Sequence, residues 1–168
     1  MQIYTIMQKH ETHISVEERV ARATALFKEG YNCAQAVVMA FDDIMDLKPE
    51  MLAKITAPFG GGMGRMREVC GTVSGMTFLA GAIAPAVNPQ NLSERQANYA
   101  LVQQFADSFR KENGDIICRK LLGLDAATES KETPMPSQRT TEYYRKRPCV
   151  EYVGCAARIV AEYLLNGQ

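Results

Sequence analysis

The chain has 168 residues, of which 46% are hydrophobic and 23% are charged, and its 19 basic side chains balance 19 acidic ones. This length and composition are typical of a globular protein with one core, and they exclude wholesale disorder. Net charge near zero argues against a dedicated nucleic-acid-binding protein, because binding to phosphates requires an excess of Lys and Arg.

The composition of the N-terminal residues leads us to expect no targeting signal there. They have neither a basic n-region nor the apolar run of a signal peptide, and no segment reaches the ~20 apolar residues of a membrane span. We therefore expect a cytoplasmic protein in which residues 1–14 form a tail, with solvated His10 and His13, and residues 15–168 form one helical domain. The apolar tail and a Gly/Ala-rich helix both offer contact surfaces, so a homodimer is a hypothesis.

Helical periodicity and capping signals dominate the first third of the chain, where strand-like alternation is missing. Ser15 and Glu18 form a capping box. Asn32 suits an N-cap, and Pro58 should break the helix that precedes it. These signals predict three helices, over 15–30, 32–44 and 49–57.

A glycine-rich loop over residues 59–65 follows. It lacks the Gly-Lys-Ser/Thr end of a P-loop, and no predicted strand precedes it, so nucleotide binding is not indicated. Its glycines let the backbone fold tightly beside Cys70 and approach a bound group. Arg65 and Arg67 lie close in sequence to Cys70 and would help to hold a thiolate or an anion there. The alternative is a simple flexible turn. The loop residues concerned are Gly60, Gly61, Gly62, Gly64 and Arg65.

Further helices are predicted in the rest of the chain, over about 71–84, 93–113, 115–123 and 148–164, with an extended loop over 125–139. Gly71, Gly75 and Gly81 are unusual inside a helix, so another backbone or a ligand should pack closely against that face. Ser93 and Asp115 are the predicted capping residues of the second and third of these helices. The sequence thus predicts an all-α protein, a single compact bundle of six or seven helices with a glycine-rich loop.

The five cysteines are dispersed and include no Cys-x-x-Cys pair. Cys33, Cys70 and Cys149 fall at predicted helix N-termini, where unpaired N–H groups and the helix dipole favour the thiolate. We therefore expect these cysteines to have lowered pKa values. The alternative is that they are small buried apolar residues.

The order of the cysteine blocks is characteristic: residues 30–37 with Cys33, the loop 59–65, residues 69–75 with Cys70, then Cys118 with residues 121–123, and Cys149. This pattern resembles the C_GCAxxG_C_C family of redox-active proteins over about residues 15–165. The resemblance implies a small cytosolic redox protein whose four family cysteines are Cys33, Cys70, Cys118 and Cys149. Cys155 falls outside this set. Thr72 replaces the usual alanine, and Arg67 stands where a glycine is common.

Three hypotheses follow for the function. The first is thiol–disulfide or electron-transfer chemistry on a thiol partner or small molecule, with Cys33 and Cys70 as the favoured pair and one thiolate attacking while the other resolves. The second is a metal or iron–sulfur site held by all four thiolates. The third is a structural bundle with inert thiols. The residues expected to surround a bound group are Gly60, Gly61, Gly62, Gly64, Arg65, Gly71 and Gly75.

Overall fold

The computed structural model describes residues 15–124 and 133–166, so the predicted tail and residues 125–132 of the predicted loop lie outside it. The described residues form eight α-helices: α1 (Val16–Glu29), α2 (Cys33–Met39), α3 (Pro49–Thr56), α4 (Gly71–Ile83), α5 (Leu92–Asn113), α6 (Cys118–Leu121), α7 (Thr141–Lys146) and α8 (Cys149–Asn166). They contain no strand, and one isolated antiparallel bridge joins Val69 to Ile117. The predicted all-α class is confirmed.

Helix α7 is the one helix of these eight that the sequence did not predict. Thr140 caps it by accepting a hydrogen bond from the backbone N–H of Tyr143. Its six residues span fewer than two turns, so no apolar periodicity could develop there.

Two predicted helix boundaries need correction. Helix α2 ends at Met39 rather than at residue 44, and a 3₁₀ turn over Asp42–Ile44 follows it. The Arg19 guanidinium stabilises this break, since it donates to the Ala40 carbonyl at 2.7 Å and pairs with Asp43 at 2.5 Å.

The N-cap of α5 is Asn91 rather than Ser93. The Asn91 side chain accepts from the backbone N–H groups of Ser93 and Glu94. Asp115 does not cap α6 either, because its carboxylate accepts from the N–H groups of Ile116 and Ile117, before that helix begins.

The core lies between α8 and the helices around it. Helix α8 packs most extensively along α1 and also contacts α2, α4 and α5. The largest side chains at the centre are fully buried: Phe27, Phe41, Phe105, Phe109, Leu52, Met76 and Leu79. None of the helices in the described part of the chain is long and apolar enough to cross a membrane.

Close packing of α4 against α2 accounts for two of the helix glycines. A Cβ atom on Gly75 would lie 3.0 Å from the Val37 Cβ, and one on Gly71 would lie 3.1 Å from the Cys33 Cβ. The prediction of tight packing is therefore confirmed at these positions. It is wrong for Gly81, which is exposed and has open space where a Cβ would stand.

Candidate functional site

Four cysteines line one cavity of about 380 Å³. Cys33 is the first residue of α2, Cys118 of α6 and Cys149 of α8, and Cys70 is the N-cap of α4. The structure confirms the helix N-terminal positions predicted for Cys33, Cys70 and Cys149, and it adds Cys118. The cavity is therefore formed where four helices begin, far apart in sequence.

Backbone contacts bring Cys70 and Cys118 side by side. The Cys118 N–H donates to the Glu68 carbonyl at 2.6 Å, and the Cys70 N–H donates to the Ile116 carbonyl at 2.8 Å. These bonds flank the bridge between Val69 and Ile117. Cys33 lies next to them because Gly71, which follows Cys70, has no side chain. The start of α2 can therefore pack closely against the start of α4.

Residues 60–67 form consecutive turns that wall the cavity. Five residues in succession have positive φ values: Gly61, Gly62, Met63, Gly64 and Arg65. At Gly62 a Cβ atom would lie 2.7 Å from the Cys118 Cβ and 2.8 Å from the Glu68 nitrogen. Glycine is thus required at position 62 both by its backbone conformation and by the close approach of Cys118.

Four arginines line the cavity together with the cysteines: Arg65, Arg67, Arg139 and Arg147. No Asp or Glu is among the described residues of the lining. Arg67 is almost fully buried, and its Nη1 lies 3.9 Å from the Cys118 sulfur. The cavity therefore has a concentrated positive charge.

Two of the arginines are held by stacking on one ring. The guanidinium groups of Arg139 and Arg147 lie 4.9 Å and 5.3 Å from the centroid of Tyr143. Arg139 also lies 4.1 Å from the Phe27 centroid and donates to the carbonyls of Phe27 and Tyr31. Sequence analysis did not select Arg139, because it lies at the end of the predicted extended loop and far in sequence from the nearest cysteine, Cys149.

Cys33 and Cys149 interact with each other in the cavity, and this interaction shifts their pKa values in opposite directions. Hydrogen bonding with the Cys33 thiol lowers the pKa of Cys149 against the opposing effect of burial, and the guanidinium groups of Arg147 and Arg139 lower it further. Hydrogen bonding with Cys149, together with burial, raises the pKa of Cys33 well above its ordinary value. Among the four cavity cysteines, the surroundings therefore favour the thiolate at Cys149.

The other two cavity cysteines favour the thiol. Burial raises the pKa of Cys70 to about 12, although Thr72 Oγ1 lies 3.1 Å from its sulfur and opposes the shift. Burial also raises the pKa of Cys118, against the charge of Arg67. The predicted lowering is thus wrong for Cys33 and Cys70, because desolvation and neighbouring thiols outweigh the helix dipole.

The other residues predicted around a bound group divide into two sets. Those that line the cavity are Gly60, Gly61, Gly62, Gly64, Arg65 and Gly71. Gly75 does not line it and instead packs against Val37.

Cys155 lies outside the cavity, near Asn113 and Glu112. In the ranges 15–124 and 133–166, no group of three or more His, Cys, Asp or Glu residues is arranged to hold a metal ion.

Comparison with known proteins gives one match. The family described as "Putative redox-active protein (C_GCAxxG_C_C)" matches residues 31–163, a range that contains all four cavity cysteines. No curated protein and no solved structure matches the chain. The family match covers most of the 168 residues, so the chain belongs to the C_GCAxxG_C_C family of redox-active proteins.

Proposed function

We propose that the cavity carries out thiol–disulfide exchange, with Cys149 as the attacking thiolate and Cys33 as the resolving thiol. The observation that carries this proposal is that Cys33 and Cys149, the first residues of α2 and α8, line one cavity together with Arg139 and Arg147. A thiolate is the reactive form of cysteine, and a neighbouring thiol that holds the proton is placed to react next.

The reaction balances as two exchanges. The Cys149 sulfur attacks one sulfur of a substrate disulfide, forming a mixed disulfide and releasing the first half as a thiolate. That thiolate takes the proton that leaves Cys33. The Cys33 sulfur then attacks the Cys149 sulfur, forming the Cys33–Cys149 disulfide and releasing the second half. The substrate gains two electrons, and the protein loses them.

The structure favours this pair over Cys33 with Cys70, the pair chosen from the sequence. Burial raises the pKa of Cys70 to about 12, and the pKa of Cys33 is raised as well, so neither thiol of that pair supplies the attacking thiolate at neutral pH. A reducing compartment such as the cytoplasm would supply the external thiols that return the Cys33–Cys149 disulfide to the dithiol.

Alkylation of the native protein with iodoacetamide across a pH series tests this assignment. Cys149 should react fastest, with a titration midpoint below the ~8.5 of an ordinary thiol. The Cys33→Ser variant keeps a hydroxyl donor, whereas Cys33→Ala removes the donor. We therefore expect a higher midpoint in Cys33→Ala and a smaller change in Cys33→Ser.

Mild oxidation gives a second readout, a mass loss of two hydrogens with a peptide that links Cys33 to Cys149. The matched control is Cys155→Ser, which changes the half-buried cysteine away from the cavity and should alter neither result. Cysteines that are all unreactive in the folded protein, or a disulfide that joins another pair, would refute the proposal.

A further inference from the structure

We propose that the cavity is built for a low-molecular-weight disulfide with anionic groups, such as carboxylates, on its two halves. This inference rests on the proposed exchange reaction and specifies its substrate class. Three features of the cavity carry it: its size, the burial of its sulfur atoms and the charge of its lining.

The size and burial favour a small molecule over a protein disulfide. A volume of about 380 Å³ lies at the lower end of the range of small-molecule pockets. Cys70, Cys118 and Cys149 are only 5%, 6% and 9% exposed, and Cys33 is half-buried. Such burial disfavours a disulfide held on the backbone of a folded partner and favours a small flexible disulfide that can enter the cavity.

Part of the cavity wall comes from the segment that precedes α7. Pro134, Pro136 and Ser137 line the cavity. Arg65 holds this segment in place, since its Nε donates to the Thr133 carbonyl at 2.8 Å and its Nη1 lies 3.4 Å from the Ser137 hydroxyl. This part of the wall is thus tied to the glycine-rich turns.

The charge of the lining favours an anion. Arg139 and Arg147 line the cavity, and the described residues of the lining contribute no carboxylate. Arg139 and Arg147 form no ion pair with any carboxylate in the described ranges, whereas the neighbouring Arg145 and Lys146 both pair with Glu142. Stacking on Tyr143 holds Arg139 and Arg147 in position, so they are preorganised to receive carboxylates.

The reaction with such a substrate is the exchange described above. Cys149 forms the mixed disulfide, Cys33 resolves it, and two carboxylate-bearing thiols leave. The guanidinium groups stabilise the substrate through its carboxylates and Cys149 through its thiolate. An external dithiol, such as dithiothreitol, then reduces the Cys33–Cys149 disulfide for the next turnover.

Three small disulfides of different charge test the proposal on the full chain: anionic dithiodiglycolate, neutral hydroxyethyl disulfide and cationic cystamine. The protein is first reduced and freed of reductant, and thiol release is followed in a single turnover. Each rate is divided by the rate with free dithiothreitol at the same pH, which removes the intrinsic reactivity of the disulfide. We expect the normalised rate to be about 10-fold or more higher for dithiodiglycolate than for cystamine.

Variants assign the preference to the cavity. Arg147→Gln should lower the ratio of the two normalised rates several-fold, because it removes charge that attracts the anionic probe and repels the cationic one. Any change in the reactivity of Cys149 affects both probes alike and cancels in the ratio. Arg147→Lys, which keeps the charge, should retain most of the ratio. The control Arg110→Gln changes an exposed arginine that pairs with Asp107 outside the cavity, and it should leave the ratio unchanged. Circular dichroism establishes that each variant is folded.

The outcomes separate the two proposals. If all three disulfides react at similar normalised rates, the anionic substrate class is refuted while the exchange reaction stands. If none of them oxidises Cys33 and Cys149, the proposed function fails, and the substrate class fails with it. A preference that persists unchanged in Arg147→Gln and in Arg139→Gln would also refute the role given to these arginines.

Discussion

Substituting Gly62 with alanine tests the argument that the glycine-rich turns are shaped by the cysteine site. Gly62 has a φ of 70°, and an added Cβ would lie within 3 Å of the Cys118 Cβ, the Glu68 nitrogen and the Arg67 carbonyl carbon. Two of these three atoms belong to the backbone, so they cannot move aside by rotation of a side chain. The chain offers a matched control in Gly64, with a similar φ of 57° and no atom closer than 4.0 Å to the added Cβ.

The two variants separate the conformational cost from the steric cost. Alanine in the left-handed region costs about 1–2 kcal/mol, and both variants carry this cost. Overpacking in a tight site adds about 1–3 kcal/mol, and only Gly62→Ala carries it. We therefore expect Gly62→Ala to lower the free energy of unfolding by about 2–5 kcal/mol and Gly64→Ala by about 1–2 kcal/mol.

Urea unfolding measures this difference. With a slope of about 2 kcal/mol per molar urea, the midpoint of Gly62→Ala should lie roughly 0.5–1.5 M below that of Gly64→Ala. Alkylation of Cys118 gives a local readout, because only the Gly62 variant should displace this side chain and increase its reactivity. Equal midpoints for the two variants, with Cys118 equally protected in both, would refute the close approach of Gly62 and Cys118.

Two further predictions concern the elements that support the site. Burial raises the pKa of Asp43, but its hydrogen bond and charge interaction with Arg19 outweigh this, leaving the pKa below its ordinary value. The pair therefore stabilises the fold at neutral pH, and the contribution is lost as the pH falls through the folded-state pKa. Asp43→Asn should lower the free energy of unfolding at pH 7 by about 2–4 kcal/mol and weaken the dependence of the unfolding temperature on acidic pH. An unfolding temperature that depends on pH as in the unmodified protein would contradict this. Asn32→Ala should lower the free energy of unfolding by about 1–2 kcal/mol, because it removes the cap of α2 and the hydrogen bond to the Ala57 carbonyl. It should also increase the rate at which Cys33 is alkylated. A decrease of less than about 0.5 kcal/mol in the free energy of unfolding would argue against this role.

Local signals were sufficient to predict most of the fold. Ser15 and Asn32 cap α1 and α2, and Gly30 ends α1 in the left-handed conformation, as their residue types predicted. Such effects depend on a few neighbouring residues, so they can be read from the sequence. Helix α7 was missed because it is too short to show a period, and the early end of α2 depends on Arg19, which lies twenty-one residues before Ala40.

The candidate site was predictable only in part. The order of the cysteine blocks selected Cys33, Cys70, Cys118 and Cys149 and set Cys155 apart, and all four selected residues line one cavity that Cys155 does not reach. Arg139 and Tyr143 could not be selected in this way. Their place in the cavity depends on how residues 133–146 pack against α1 and α8.

The sequence by itself determined the all-α class, the positions of three cysteines at helix N-termini and the family. Only the tertiary structure decided in which direction the pKa of each of these cysteines is shifted. The helix dipole acts within one turn and is similar at each of these N-termini, so it does not distinguish Cys149 from Cys33 or Cys70. The distinction comes from the interaction between Cys33 and Cys149, from burial and from Arg147 and Arg139, all of which depend on contacts between distant segments.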